Sequence, residues 1–133
     1  MASDVTATAD APPIGDPAVR VVAMPADTNP NGDIFGGWLV SMMDLAAGTV
    51  ASRRSKGRSA TVAIDGMIFH APVKVGDVVS VYADMVSVGR TSMKIDVTAW
   101  RQSRNGLVNE RVTHATITFV AIDDQGRPRA VDE

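Results

Sequence analysis

The sequence predicts an α+β domain in which an antiparallel β-sheet wraps around one long central helix. Residues 34–52 carry a single charge, Asp44, and repeat apolar residues at helical spacing. The segments beyond residue 60 are rich in Val, Ile and Thr, and two of them alternate apolar with polar residues. The connections between those segments are short and built from turn-forming residues, which favours antiparallel neighbours.

Residues 1–16, which include Ala11-Pro-Pro-Ile-Gly-Asp16, offer few groups whose burial would offset the entropy of ordering. They read as a tail ahead of a domain spanning residues 17–129, with 130–133 as a second tail. Val19-Arg-Val-Val-Ala-Met24 reads as a short strand closed by Pro25. Asp27-Thr-Asn-Pro-Asn-Gly-Asp33 is dense in turn formers and leads into the helix. From Trp38 to Ala51 the apolar residues Leu39, Met42, Met43, Ala46, Ala47 and Val50 recur at i, i+3 and i+4, and the helix is apolar nearly all round, which suits a core position. Strands are expected at residues 61–69, 78–88, 92–102 and 107–122. Met93, Ile95, Val97 and Ala99 alternate with Lys94, Asp96 and Thr98, and Ala115, Ile117 and Phe119 with His114, Thr116 and Thr118, so one face of the sheet covers the core. Lys74-Val-Gly-Asp77, Val88-Gly-Arg-Thr91 and Arg104-Asn-Gly106 supply the turns. A long unpaired strand edge invites a second copy, so pairing of two chains is expected.

At 133 residues the chain makes one domain with a proper core. Its net charge of −2 lacks the basic footprint of a nucleic-acid binder. The absence of cysteine removes disulfides, thiolate metal sites and a cysteine nucleophile. No apolar run reaches the roughly 18 residues needed to cross a bilayer, and Met1-Ala-Ser-Asp-Val-Thr-Ala-Thr-Ala-Asp10 lacks the basic start and apolar block of a signal peptide. A cytoplasmic protein with neither membrane nor nucleic-acid partners is the expectation.

Asp44 is the residue that demands explanation. A carboxylate inside an apolar helix must be paired, solvated by a cleft or put to chemical use, because isolated burial is prohibitive. At about 100° per residue, Gly37, Ser41 and Gly48 fall on its side of the helix, a lining of small residues that leaves room for a ligand. Gly37 lies in the first turn, where backbone N–H groups lack intrahelical partners and the macrodipole is positive, a place for a carbonyl oxygen or oxyanion. An oxyanion donor and a base two turns apart can face one cleft. The same pattern also suits a close helix–strand contact with Asp44 in a structural pair with an arginine.

The segment Met24-Pro-Ala-Asp-Thr-Asn-Pro-Asn-Gly-Asp-Ile-Phe-Gly-Gly-Trp-Leu39, with Asp44 after it, resembles the hot-dog-fold acyl-CoA thioesterases, and within them the bacterial YciA-type short-chain group. Thr61-Val-Ala-Ile-Asp65, Phe69-His-Ala-Pro-Val-Lys-Val-Gly-Asp77 and Val88-Gly-Arg-Thr-Ser92 agree in order, and the resemblance covers about residues 19–129. It implies that Asp44 acts as general base or nucleophile on an acyl-CoA thioester and that Asn29 lies opposite it from the other subunit. It further implies that Gly37 offers its backbone N–H to the carbonyl oxygen, with Gly36 close behind. No metal or other cofactor is implied. Many relatives carry His-Gly-Gly where this chain has Phe35-Gly36-Gly37, so a histidine role at position 35 does not apply; the YciA-type group shares the phenylalanine. The resemblance implies homodimers with shared active sites, assembled as trimers of dimers into hexamers.

Coenzyme A carries phosphates, which places cations near the mouth of the site. Arg53, Arg54, Lys56 and Arg58 follow the helix, where cations also suit the dipole, and Arg90 sits in a turn whose Thr91 and Ser92 add hydroxyl donors. Arg58, Arg90, Thr91 and Ser92, with Thr61 and Val62 of the resembling block, are the candidate coenzyme A contacts. His70 and His114 read as surface or interface residues. Asp65 is given no chemistry, and Asp77 reads as a turn cap. Met42 and Met43 read as core filler and Trp38 as a candidate wall for the acyl pocket. A hydratase is disfavoured because the helix holds no histidine; a non-catalytic acyl-CoA binding or sensing module is the alternative, and it requires a structural Asp44.

Overall fold

The computed structural model describes residues 11–132, so residues 1–10 of the predicted N-terminal tail, and Glu133, lie outside the described residues. Strand β1 (Val19–Val22) and a single 3-10 turn at Pro25–Asp27 precede helix α1 (Gly36–Ser55). Four strands follow: β2 (Ser59–Phe69), β3 (Val78–Val88), β4 (Ser92–Gln102) and β5 (Asn109–Ala121). They form one antiparallel sheet in the order β1-β3-β4-β5-β2, curled around the helix. Among the described residues no helix is long and apolar enough to cross a membrane.

The alternating residues of β4 and β5 behave as their pattern requires. Met93, Ile95, Val97, Ala99, Ala115, Ile117 and Phe119 are buried against Leu39, Met43, Ala46, Ala47 and Ala51 of the helix. The helix outruns the uncharged stretch: Arg53 and Arg54 lie in its last turn, where the dipole favours cations, and Lys56 ends it in the left-handed conformation at φ 57°. Arg129 seals this end by donating from Nη2 to the Ser55 carbonyl at 2.8 Å and from Nε to the Ile122 carbonyl at 3.2 Å.

Two expectations require correction. Lys74–Asp77 is a turn, with Asp77 N–H on the Lys74 carbonyl at 3.0 Å, but it joins no hairpin. β2 pairs with β5 at the far side of the sheet, and the segment after it crosses beneath the helix entrance, anchored by buried Val73 and by Ile34 N–H on the Val73 carbonyl at 3.0 Å. The domain also extends past residue 129. Val131 is only 3% exposed, and its N–H bonds the Arg90 carbonyl at 2.8 Å, so packing against the β3–β4 turn orders a segment whose composition alone suggests a tail.

The crossing segment carries a buried ion pair. Asp77 Oδ2 accepts from Lys74 N–H at 2.8 Å and from Arg101 Nη1 at 2.9 Å, and Arg101 Nε reaches Glu110 Oε1 at 2.8 Å. Burial alone would lower the Arg101 pKa; the two carboxylates overcome this and hold it above its ordinary value. Asp77→Ala leaves a mostly buried guanidinium short of a partner and should destabilise the fold by about 3–5 kcal/mol. Thermal unfolding should show this as a midpoint lower by roughly 10 °C or more; an unchanged midpoint would contradict it.

Candidate active site

The helix entrance is built by two loops. Phe35 N–H bonds the Asp27 carbonyl at 3.0 Å and Ile34 N–H the Val73 carbonyl at 3.0 Å, which fixes where α1 begins. Phe35 occupies the N-cap position but has no side chain able to cap. The N–H groups of Gly36 and Gly37 therefore have no acceptor among the described residues and face outward with the positive end of the dipole. A Cβ on Gly36 would sit 3.5 Å from the Phe69 ring, an ordinary contact, so the Phe69 ring borders the entrance beside these donors.

Asn29 is held in the same entrance. Its Oδ1 accepts from Asn31 N–H at 2.9 Å and Asp33 N–H at 3.2 Å, while its own N–H bonds the Asp33 carbonyl at 2.7 Å. The amide nitrogen is left as the free end, without an acceptor among the described residues, so Asn29 presents a donor. Asn29, Gly36, Leu39, Phe69, His70 and Val73 line a cavity of about 420 Å³.

Asp44 lies further along the helix in a different cleft of about 560 Å³, with Gly48, Thr49, Arg53, Thr61 and Phe119 among its walls. It is half-buried, and its Oδ1 accepts from Thr61 Oγ1 at 2.5 Å. Among the described residues Asp44 forms no ion pair, so the reading of a structural aspartate paired to an arginine is not what the fold contains. Gly48 lies against the Phe119 ring, and a Cβ there would be in ordinary van der Waals contact with Phe119 Cε2 at 3.5 Å. Ser41 turns back to the Trp38 carbonyl at 2.6 Å.

The two halves do not meet within one chain. At about 1.5 Å rise per residue, Gly37 and Asp44 are roughly 10 Å apart along the helix axis, too far for both to touch one carbonyl group. The expectation that both face a single cleft of one chain is therefore corrected.

The other candidates sort by position. Arg58, Arg90, Thr91 and Ser92 gather at one pole of the sheet: Ile122 N–H bonds the Arg58 carbonyl at 3.0 Å, Ala121 N–H the Thr91 carbonyl at 2.9 Å, and Gly89 N–H the Ser92 carbonyl at 2.8 Å. Arg53 and Ser59, which line the Asp44 cleft, lead toward this pole. Val62 sits at a bulge of β2 with its side chain exposed. Trp38 is buried in the core and lines neither cavity, so its suggested role as a pocket wall is not realised. His70 and His114 stack with centroids 6.0 Å apart and planes 9° off parallel. Two features escaped the sequence reading: the Thr61 hydroxyl on Asp44, which joins residues seventeen apart and leaves no local signal, and the entry of His70 into the first cavity.

Comparison with known proteins shows the family. Residues 31–108 match the model of the thioesterase superfamily. The chain is 51% identical over 131 residues to an uncharacterized acyl-CoA thioester hydrolase of Zymomonas mobilis subsp. mobilis, covering 96% of this chain and 88% of that protein. It is 46% identical over 122 residues to the acyl-CoA thioester hydrolase YciA of Escherichia coli strain K12, covering 90% and 92%. Among solved structures, the hexameric thioesterase y2039 from Yersinia pestis superposes with a TM-score of 0.86 at 46% identity, covering 92% and 99%. With its helix inside a hot-dog sheet and these relatives across nearly its whole length, the chain belongs to the thioesterase superfamily, in the YciA-type group of acyl-CoA thioester hydrolases.

Proposed function

We infer that the protein hydrolyses acyl-CoA to coenzyme A and a carboxylic acid in active sites shared between two copies of the chain. One observation carries the reading. Asp44 with Thr61 stands beside the start of β2, whereas the free N–H groups of Gly36 and Gly37, with Asn29, stand beside its end at Phe69. β2 is a sheet edge, and Ile64 and Ile68 on it are exposed. Antiparallel pairing of two β2 edges about a two-fold axis brings the start of one strand beside the end of the other, and so Asp44 of one copy toward the Gly36–Gly37 entrance of the next. The site is incomplete in a single chain and complete in a pair.

In that composite site the thioester carbonyl takes hydrogen bonds from the Gly37 and Gly36 N–H groups, which strengthen as the oxygen gains charge. Asp44 of the other copy takes a proton from water as the water oxygen bonds the carbonyl carbon; collapse breaks the carbon–sulfur bond, and the proton passes to the departing thiolate. Direct attack by Asp44, giving an anhydride that water then opens, uses the same geometry. The Asn29 amide donates to the incoming oxygen. No cofactor enters the sequence. Arg58, Arg90, Thr91 and Ser92 are assigned to the coenzyme A phosphates and the Asp44 cleft to the pantetheine arm, which leaves the cavity before Gly36 for the acyl chain. Thr61 and Val62 flank the arm, and Thr61 also orients Asp44. Assembly of the dimers into a trimer of dimers and a cytoplasmic location belong to this reading; the hexamer of the Yersinia pestis relative supports the first.

Thr61→Val removes the hydroxyl that fixes Asp44. A hydrogen bond to a charged group is worth about 1.5–3 kcal/mol, so kcat should fall roughly tenfold or more with little change in stability. Wild-type kcat in that variant would remove Thr61 from the account. The function itself is tested by following thiol release from acyl-CoA thioesters from acetyl to palmitoyl. Release is expected for short chains; tight binding without release would make the protein a sensing module instead.

A further inference from the structure

We propose that His70 selects short acyl chains bearing an uncharged oxygen substituent, of the 3-hydroxyacyl-CoA type, by hydrogen bonding that oxygen inside the acyl cavity. The inference rests on the hydrolase reading and names the substrate class of the same site.

The cavity beside Gly36 is mostly hydrocarbon, with Ile34, Leu39, Phe69 and Val73 in its walls. Such a surface suits a short alkyl chain and gives no reason for an imidazole. His70 nonetheless lines the cavity; the residue is exposed in the single chain, and its backbone is anchored. Its N–H bonds the Val112 carbonyl at 2.7 Å, and one residue pair further along, Thr113 Oγ1 bonds the Ile68 carbonyl at 2.6 Å, which clamps the end of β2 to β5. The His70 ring stacks near-parallel on that of His114 with centroids 6.0 Å apart. An imidazole beside a mainly apolar lining is a hydrogen-bonding group of the kind that chooses one polar substituent.

The charges around it favour a neutral ligand. The charged side chains acting on the partner ring, His114, are Arg111 on β5, which opposes protonation, and Asp96 on β4, which favours it. Burial, then Arg111 and His70, hold His114 below the ordinary histidine range despite Asp96. The partner ring is therefore neutral at neutral pH. Asp33, the carboxylate lining the cavity, is already paired with Lys74 Nζ, and none of the lining residues is Arg or Lys. A carboxylate on the acyl chain would find no cation among the lining residues; a hydroxyl or keto oxygen needs only the imidazole.

The test compares kcat/KM for 3-hydroxybutyryl-CoA and butyryl-CoA, followed by thiol release, in the wild type, His70→Leu, His70→Ala and His70→Asn. The ratio of hydroxylated to plain substrate should fall about tenfold in the Leu and Ala variants, the worth of one hydrogen bond, and stay near wild type in the Asn variant, which can still donate and accept. A ratio within twofold of wild type in both His70→Leu and His70→Ala would overturn the proposal while leaving hydrolysis intact. Absence of thiol release from either substrate by the wild type would instead overturn the hydrolase reading beneath it.

Discussion

Replacing Asp44 by Asn should leave the fold intact and lower thiol release by about 10²–10⁴-fold, the usual contribution of a positioned general base. The fold survives because Asp44 is half-buried and free of ion pairs among the described residues, and an amide oxygen can still accept from Thr61. The rate falls because the amide has no lone pair able to take the proton from water, and no other carboxylate lines the Asp44 cleft. Circular dichroism and an unfolding midpoint like those of the wild type, together with the lost turnover, are the expected pair of results. Near-normal turnover would remove Asp44 from the chemistry.

The second large effect concerns the sheet edge. Ile64 lies opposite the buried Ile117, so it is on the helix-facing side of β2, yet it is 40% exposed because nothing covers that edge in one chain. Ile64→Lys puts a charge where the second copy has to pack, a device by which natural edges resist pairing. The variant should sediment as a monomer and lose turnover as fully as Asp44→Asn, although Asp44, Asn29 and both glycines are untouched. A folded monomer with wild-type turnover would show that one chain completes its own site.

Much of this was legible in the residues. The period of Leu39, Met43 and Ala46 located the helix, and the alternation along 93–99 and 115–119 located the core face, because both patterns follow from burial on one side. Asp44 stood out for the same reason: a charge in an apolar stretch is a local signal. The order of the strands was not legible. The turn at Lys74–Asp77 looks locally like a hairpin, and only the packing of Val73 under the helix entrance shows that the chain crosses to the other edge. The burial of Val131 leaves no local signal, because the chain there is tied to Arg90, far away in sequence. The sequence offers Thr61 only as a ligand contact, and its bond to Asp44 exists only once β2 lies beside the helix. The separation of Gly37 from Asp44 follows from helical rise alone and was available from the sequence; which surface bridges it was not.

The central claim is that each active site draws Asp44 from one copy and Asn29 with Gly37 from another. Mixing inactive Asp44→Asn and Asn29→Ala proteins, unfolding and refolding them together, tests it directly. Random pairing gives about half mixed dimers, each with one site carrying both substitutions and one carrying neither, so about a quarter of wild-type activity should return. No recovery above the separate variants, in a mixture shown to have exchanged subunits, would mean that the catalytic groups belong to the same chain.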